Sequence, residues 1–257
     1  MNLLLLKLFL TPALIGLASL AGRKWGHAVS GWIVALPLTT GPIIFFLALS
    51  HGAAFAADTA AGILAGVFSL VAFTIVYGAI ALRWTWLPTL MAASAAFFVM
   101  TAILRPIHVP LVPLWAAVLA ALLLSIRLLS RPADSGLQTQ MLPAAWDIPL
   151  RMLIATGFVL LITGLAPAVG PHLAGLLSPF PLFTAILAAF AQHQHGAAAA
   201  VSVLRGLHLG LFSYASFMFT LALLLLPAGI PAAFAAAMLI VIVFQAASLR
   251  LLRRRIG

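Results

Sequence analysis

The sequence contains no cysteine and no glutamate. The first absence excludes disulfides, thiolate metal sites and cysteine nucleophiles, and leaves the redox compartment undetermined. The second leaves Asp58, Asp134 and Asp147 as the only acidic residues of the chain, and none lies near the centre of an apolar run. Paired-carboxylate chemistry has no residues to work with, and proton coupling through a buried membrane acid is ruled out. Charge of either sign is scarce, at 6%, while 65% of the 257 residues are apolar and the mean hydropathy is +1.25. A soluble domain does not show such values. There is no HExxH zinc motif, phosphate-binding glycine loop or nucleophile elbow. The chain is therefore read as a non-enzyme, and it has no nucleotide domain to drive an ATP-dependent pump.

What is present is a series of apolar runs of membrane-spanning length. They cover approximately residues 3–21, 31–50, 59–82, 85–104, 111–130, 148–168, 174–192, 203–226 and 229–249. Runs of about 20 residues indicate helices rather than barrel strands, because a helix satisfies its own backbone hydrogen bonds in lipid. The expected fold is an all-α integral membrane protein with nine transmembrane helices. The first run resembles a signal peptide, with small residues after an apolar core. Lys7 interrupts it, however, and an internal repeat claims it as a helix.

That repeat has an offset of about 144 residues. GWIVALPLTTGP from Gly31 aligns with GLLSPFPLFTAI from Gly175, and the match continues without a gap to Phe73 and Phe217. Roughly a third of these positions are identical, including Gly31, Pro37, Thr40, His51, Gly52, Gly62, Gly66 and Ser69 with Gly175, Pro181, Thr184, His195, Gly196, Gly206, Gly210 and Ser213. The same offset puts Lys7 on Arg151 and Gly26 on Gly170. It maps the first four spans onto the last four and leaves the fifth unpaired, a 4+1+4 arrangement. Five crossings separate the starts of the two copies, and an odd number inverts the second copy, as in secondary transporters. The expected organisation is transmembrane repeat 1 over residues 1–104, a linker helix and cytoplasmic loop over 105–147, and inverted repeat 2 with a basic tail over 148–257.

The net charge is +10, but the basic residues occur singly or in pairs between apolar runs, which argues against nucleic acid as a partner. With nine spans, Arg23, Lys24, Arg83, Arg127, Arg131, Arg151, Arg205, Arg250, Arg253, Arg254 and Arg255 share one side, and only Lys7 and Arg105 face the other. The positive-inside rule then places the N-terminus outside and the C-terminus in the cytoplasm, and a bacterial-type inner (cell) membrane is the expected location.

The second and seventh spans carry ALPLTTGP and SPFPLFTA near their centres. Proline removes a backbone donor and clashes with the preceding turn, so helices 2 and 7 are expected to break there. Freed backbone groups are tolerated in a bilayer only against protein or a watery cavity. The substrate site is accordingly assigned to Pro37, Thr39, Thr40 and Gly41 in the first copy and to Pro181 and Thr184 in the second. The structural alternative is an ordinary proline kink whose hydroxyl bonds back to its own helix. Arg205 and His208, early in span 8, join the site if they lie deep enough to hold an anion, and otherwise Arg205 is a flank that snorkels to the headgroups. Gly62 with Gly66 and Gly206 with Gly210 form GxxxG pairs suited to close helix packing. In QHQHG, His193 and His195 do not share a helix face and have no carboxylate or thiolate partner, so no metal site is assigned. The repeated His-Gly is read as a helix end.

The functional expectation is a secondary transporter that moves a small solute, an organic anion being favoured by the basic, acid-poor composition, by alternating access between inverted repeats. No cofactor is expected, and the options for coupling are sodium bound by freed carbonyls and threonine hydroxyls, a proton carried by histidine, or plain facilitated exchange. The small-molecule substrate and membrane lipids are the expected partners, and a homo-oligomer is compatible with the sequence. The competing readings are a lipid or lipid-phosphate translocase, with Arg205 gripping the headgroup, and a non-transporting subunit of a membrane complex.

Overall fold

A computed structural model of the chain describes residues 40–129 and 147–256, together with Phe9, Pro12, Ala13 and Pro37. Helices make up nearly all of it, and no strand occurs among the described residues. In chain order they are α1 (Thr40–Ile80), α2 (Trp86–Leu104), α3 (Leu111–Leu128), α4 (Asp147–Val169), α5 (Pro171–Leu177), α6 (Leu182–His195) and α7 (Ala197–Ile256). Five helices are long and apolar enough to cross a membrane: α1, α2, α3, Met152–Val169 within α4, and Ala197–Phe244 within α7. The protein is all-helical and membrane-embedded.

Two of these helices exceed a single crossing. The 41 residues of α1 and the 60 of α7 extend for about 60 and 90 Å at 1.5 Å per residue, against about 30 Å of hydrocarbon. Each is bent at a glycine with positive φ and extended ψ: Gly52 (φ 88°, ψ 167°) and Gly229 (φ 77°, ψ 172°). Only glycine adopts this conformation readily, since a Cβ would collide with the residue's own backbone. In this way α1 joins much of the expected spans 31–50 and 59–82 into one bent element, and α7 joins 203–226 to 229–249. Where nine separate spans are expected, the described residues contain five long helices. The expected span 3–21 lies almost wholly outside the described residues, as does the hydrophilic linker from Arg131.

Gly196, between α6 and α7, has φ 82° and ψ 178°, nearly the values of its repeat equivalent Gly52. Both His-Gly pairs thus end a helical stretch. Gly170 turns the chain from α4 into α5 in the same way (φ 82°, ψ 164°).

Contacts along α5 and α6 fix their course. His172, at the start of α5, stacks on His108 in the loop after α2, with ring centroids 4.5 Å apart. Phe180, in the break between α5 and α6, meets Phe97 and Phe98 at 5.2 and 5.5 Å. His193, near the end of α6, meets Trp86, the first residue of α2, at 6.0 Å. So α5 and α6 together run antiparallel to α2 over its whole length, and the break at 178–181 falls near its middle.

α1 reports the same depth. A Cβ built on Gly62 would lie 2.6 Å from the His172 carbonyl oxygen, and one on Gly66 would lie 2.6 Å from Pro179 Cγ. At the far end, Gln192 Nε2 donates to the carbonyls of Ala81 (3.1 Å) and Trp84 (2.8 Å), which follow α1. The first GxxxG pair therefore seats the short helix and the proline break of the other repeat.

α1 is the central element. Two thirds of its apolar window is buried (67%), against 22% for α2 and for α3. Its Ile63, Leu64 and Val67 share a core with Leu122 of α3 and Leu211, Phe217 and Leu221 of α7. Met91, Val99, Leu123, Leu161, Leu239 and Val243 point outward, the apolar exterior that lipid requires.

Candidate functional site

The helices that follow Pro37 and Pro181 open alike. In the first, the Gly41 N–H donates to the Pro37 carbonyl at 2.8 Å. In the second, the Ala185 N–H donates to the Pro181 carbonyl at 2.7 Å, and these residues are the repeat equivalents of the first pair. Each proline carbonyl thus accepts the opening hydrogen bond of the half-helix that follows, Thr40–His51 within α1 or all of α6. Ser178, just before the second break, donates its Oγ hydrogen to Ala174 at 2.7 Å, leaving no orphaned hydroxyl there.

Most other helix hydroxyls behave in this bland way. Thr59, Thr156, Thr163, Ser216 and Thr220 each donate to the carbonyl four residues earlier, at 2.7 to 2.9 Å. Thr40 does not. It opens its helix, is 2% exposed, and its Oγ1 is buried with no hydrogen-bond partner. Across from it on α7 stands Tyr214, whose hydroxyl is likewise buried and unpartnered. The two hydroxyls are near enough to interact but do not form a hydrogen bond of good geometry. Phe217, one turn further along α7, lies against Gly41.

Depth follows from counting residues. Thr40 lies about 18 Å along its helix from Gly52, and Tyr214 lies about 27 Å along α7 from Gly196, close to the middle of the stretch that ends at Gly229. Thr40 Oγ1 makes no hydrogen bond back to its own helix. A half-helix N-terminus carries partial positive charge from its aligned peptide dipoles. Two hydroxyls beside it can donate to, or accept from, a small polar group.

The expected site residues fall into three groups. Thr40 adjoins Tyr214 and Gly41 adjoins Phe217, while Pro37 is tied to Gly41 through its carbonyl. Pro181 and Thr184 lie in the second break, both buried, and no hydrogen bond joins Thr184 to Thr40. His208 is fully buried and bonded to Thr74 of α1 (Nε2 to Oγ1, 3.3 Å), while Arg205 is half-buried one turn earlier and about two turns into α7. Thr39 lies outside the described residues.

Sequence reasoning missed Tyr214, Thr74 and Tyr77. A signal was available for the tyrosines. The chain has two, and both sit within apolar helices with buried, unpartnered hydroxyls rather than in the interfacial belt where membrane tyrosines concentrate.

At the end of the molecule that carries His108, a second polar group forms. The His172 ring stacks on His108 and its Nε2 is buried without a partner. Burial pushes this imidazole below its ordinary value. Its hydrogen bond to the Leu104 carbonyl and the field of Asp58 oppose that shift, and His108 adds to it. No group of three or more metal-ligating side chains occurs among the described residues. Comparison with protein-family models, with curated proteins and with solved structures finds no match to the chain.

Proposed function

We propose that this protein is a secondary carrier that moves a small solute, a small organic anion being the favoured class, across the cell membrane. In this reading the two repeats are inverted halves of a nine-span, 4+1+4 bundle, with the N-terminus outside, and the solute binds at the proline breaks between them. The observation that carries the reading is the pair of unpartnered hydroxyls, Thr40 Oγ1 and Tyr214 OH, at mid-depth beside a half-helix N-terminus. A buried hydroxyl without a partner costs roughly 1–3 kcal/mol. A ligand that completes its hydrogen bond recovers that cost. The matched Pro37 and Pro181 bonds, and the matched bends at Gly52 and Gly196, support a symmetric mechanism. A purely scaffolding subunit has no use for these orphaned groups.

The test is thermal unfolding of the purified protein with a panel of small carboxylates and phosphates, with and without sodium. The expected result is a stabilising anion whose effect disappears in Thr40→Val and Tyr214→Phe, although neither variant unfolds earlier than the parent. A ligand that stabilises both variants as strongly as the parent overturns the site.

A further inference from the structure

His208 is fully buried, and each of its ring nitrogens has a neighbour. Nδ1 lies 2.9 Å from the Leu204 carbonyl oxygen, and Nε2 lies 3.3 Å from Thr74 Oγ1 on α1. Thr74 Oγ1 in turn lies 2.9 Å from the Val71 carbonyl oxygen. Three links therefore join two carbonyl oxygens that can only accept. A neutral imidazole and a hydroxyl supply two hydrogens between them, whereas an imidazolium and a hydroxyl supply three. In the protonated state Nδ1–H donates to Leu204, Nε2–H donates to Thr74, and the Thr74 hydroxyl donates to Val71. In the neutral state the Thr74 hydroxyl turns to donate to Nε2, while the Val71 carbonyl keeps its place in the helix ladder. Gain or loss of one proton at Nε2, exchanged with solvent and accompanied by rotation of the Thr74 hydroxyl, interconverts the two states.

Among the described residues, no acid forms a hydrogen bond with His208 that would hold the charge permanently. From α2 and α6, the apolar side chains Ala93, Phe97, Ala185 and Ala188 share the cluster that holds Leu204 and Phe73. Tyr77 stands one turn along α1 with its hydroxyl unpartnered, Arg205 lies half-buried one turn back on α7, and Arg127 of α3 is exposed. An ionisable group inside a membrane helix is costly unless it functions. His208 also lies about 9 Å along α7 from Tyr214, on the same rigid rod.

We infer that His208 with Thr74 forms a reversible proton-binding site, which makes the proton, rather than sodium, the ion whose binding is linked to movement of α7 against α1. Its purpose rests on the carrier reading, but its chemistry does not. The test uses the full chain in lipid nanodiscs with 15N-labelled histidine rings, observed between about pH 4 and pH 9, a window that brackets the ordinary imidazole range. The His208 signal is identified by its loss in His208→Gln and, independently, by its displacement in Thr74→Val. The expected result is an Nδ1–H ring at high pH that gains Nε2–H as pH falls. Thr74→Val keeps the volume but removes the acceptor, and requires roughly tenfold more protons for the same occupancy. A ring that stays neutral throughout, or a titration unaffected by Thr74→Val, overturns the inference while leaving the Thr40 and Tyr214 site intact. Titration of His208 in a protein that binds no anion supports the proton site and removes the carrier reading instead.

Discussion

Replacing Gly175 by alanine tests the contact that sets the depth of the proline break. A Cβ there would strike the Thr59 carbonyl oxygen and would lie 2.7 Å from Gly62 Cα. Both obstacles are backbone atoms of α1, so no side chain can swing aside. Carbon atoms pack at about 3.5–4.0 Å, which leaves a shortfall of about 1 Å that only separation of α5 from α1 can supply. Overpacking of this kind costs about 1–3 kcal/mol, and backbone against backbone belongs at the upper end. For a chain of this size about 3 kcal/mol corresponds to a fall in Tm of roughly 6–12 °C. Unfolding in mild detergent can be followed by intrinsic tryptophan fluorescence, since the cysteine-free sequence rules out thiol-reactive dyes and supplies six tryptophans. Gly164→Ala on α4 is the control. Among the described residues nothing lies within 4 Å of its Cβ, and the change should stay within about 0.5 kcal/mol. Gly62→Ala should behave like Gly175→Ala, and the double variant should lose less than the sum because both changes force the same separation. If Gly175→Ala unfolds within about 2 °C of Gly164→Ala, α5 does not lie on α1 as described.

His172 makes stability pH-dependent with a definite sign. Its folded pKa is lowered by burial, so below the ordinary imidazole value the unfolded chain binds more protons than the folded one. Stability attributable to this residue is therefore present at neutral pH and lost as pH falls below about 6.5. Tm measured at pH 5 and at pH 7.5 should differ less in His172→Gln than in the parent, and an equal difference would contradict the burial argument. For topology, single cysteines introduced as His108→Cys and Arg83→Cys lie at opposite ends of α2. An impermeant maleimide added to whole cells should label the first and spare the second, and the reverse pattern would overturn the proposed orientation.

Much of the fold was legible because its causes are local. Scarcity of charge leaves lipid as the solvent. Proline at 37 and 181 ends a hydrogen-bond ladder wherever it stands, and the glycines of the two His-Gly pairs supply a conformation that other residues avoid. The smallness of Gly62 and Gly66 announced a close approach. What was not legible was the partner, because a glycine specifies how near a neighbour can come and not which neighbour arrives, here His172, Gly175 and Pro179 of the other repeat. Hydropathy divides the chain at polar residues such as Asp58, whereas the backbone bends only where glycine permits it, which is why α1 and α7 each join two expected spans. The roles of Tyr214 and Thr74 depend on pairings such as that of Thr74 with His208, which lies 134 residues away, and no window along the sequence contains both.

The acid-poor composition and the orphaned hydroxyls then bear on one question, which is how the proposed site can be both stable and selective. Replacing Thr40 by valine and Tyr214 by phenylalanine would preserve nearly all the packing volume and remove two unsatisfied polar atoms. A structural interior gains nothing by keeping them. A binding site gains roughly 1–3 kcal/mol for each hydroxyl that a ligand satisfies, or about 5- to 150-fold in affinity. It gains this without a buried acid, whose negative charge would repel an anionic solute at the half-helix N-terminus and whose burial the bilayer penalises heavily. On the carrier reading, neutral donors beside a half-helix would hold an anion strongly enough to admit it and weakly enough to release it, a compromise that a permanent structural contact does not require.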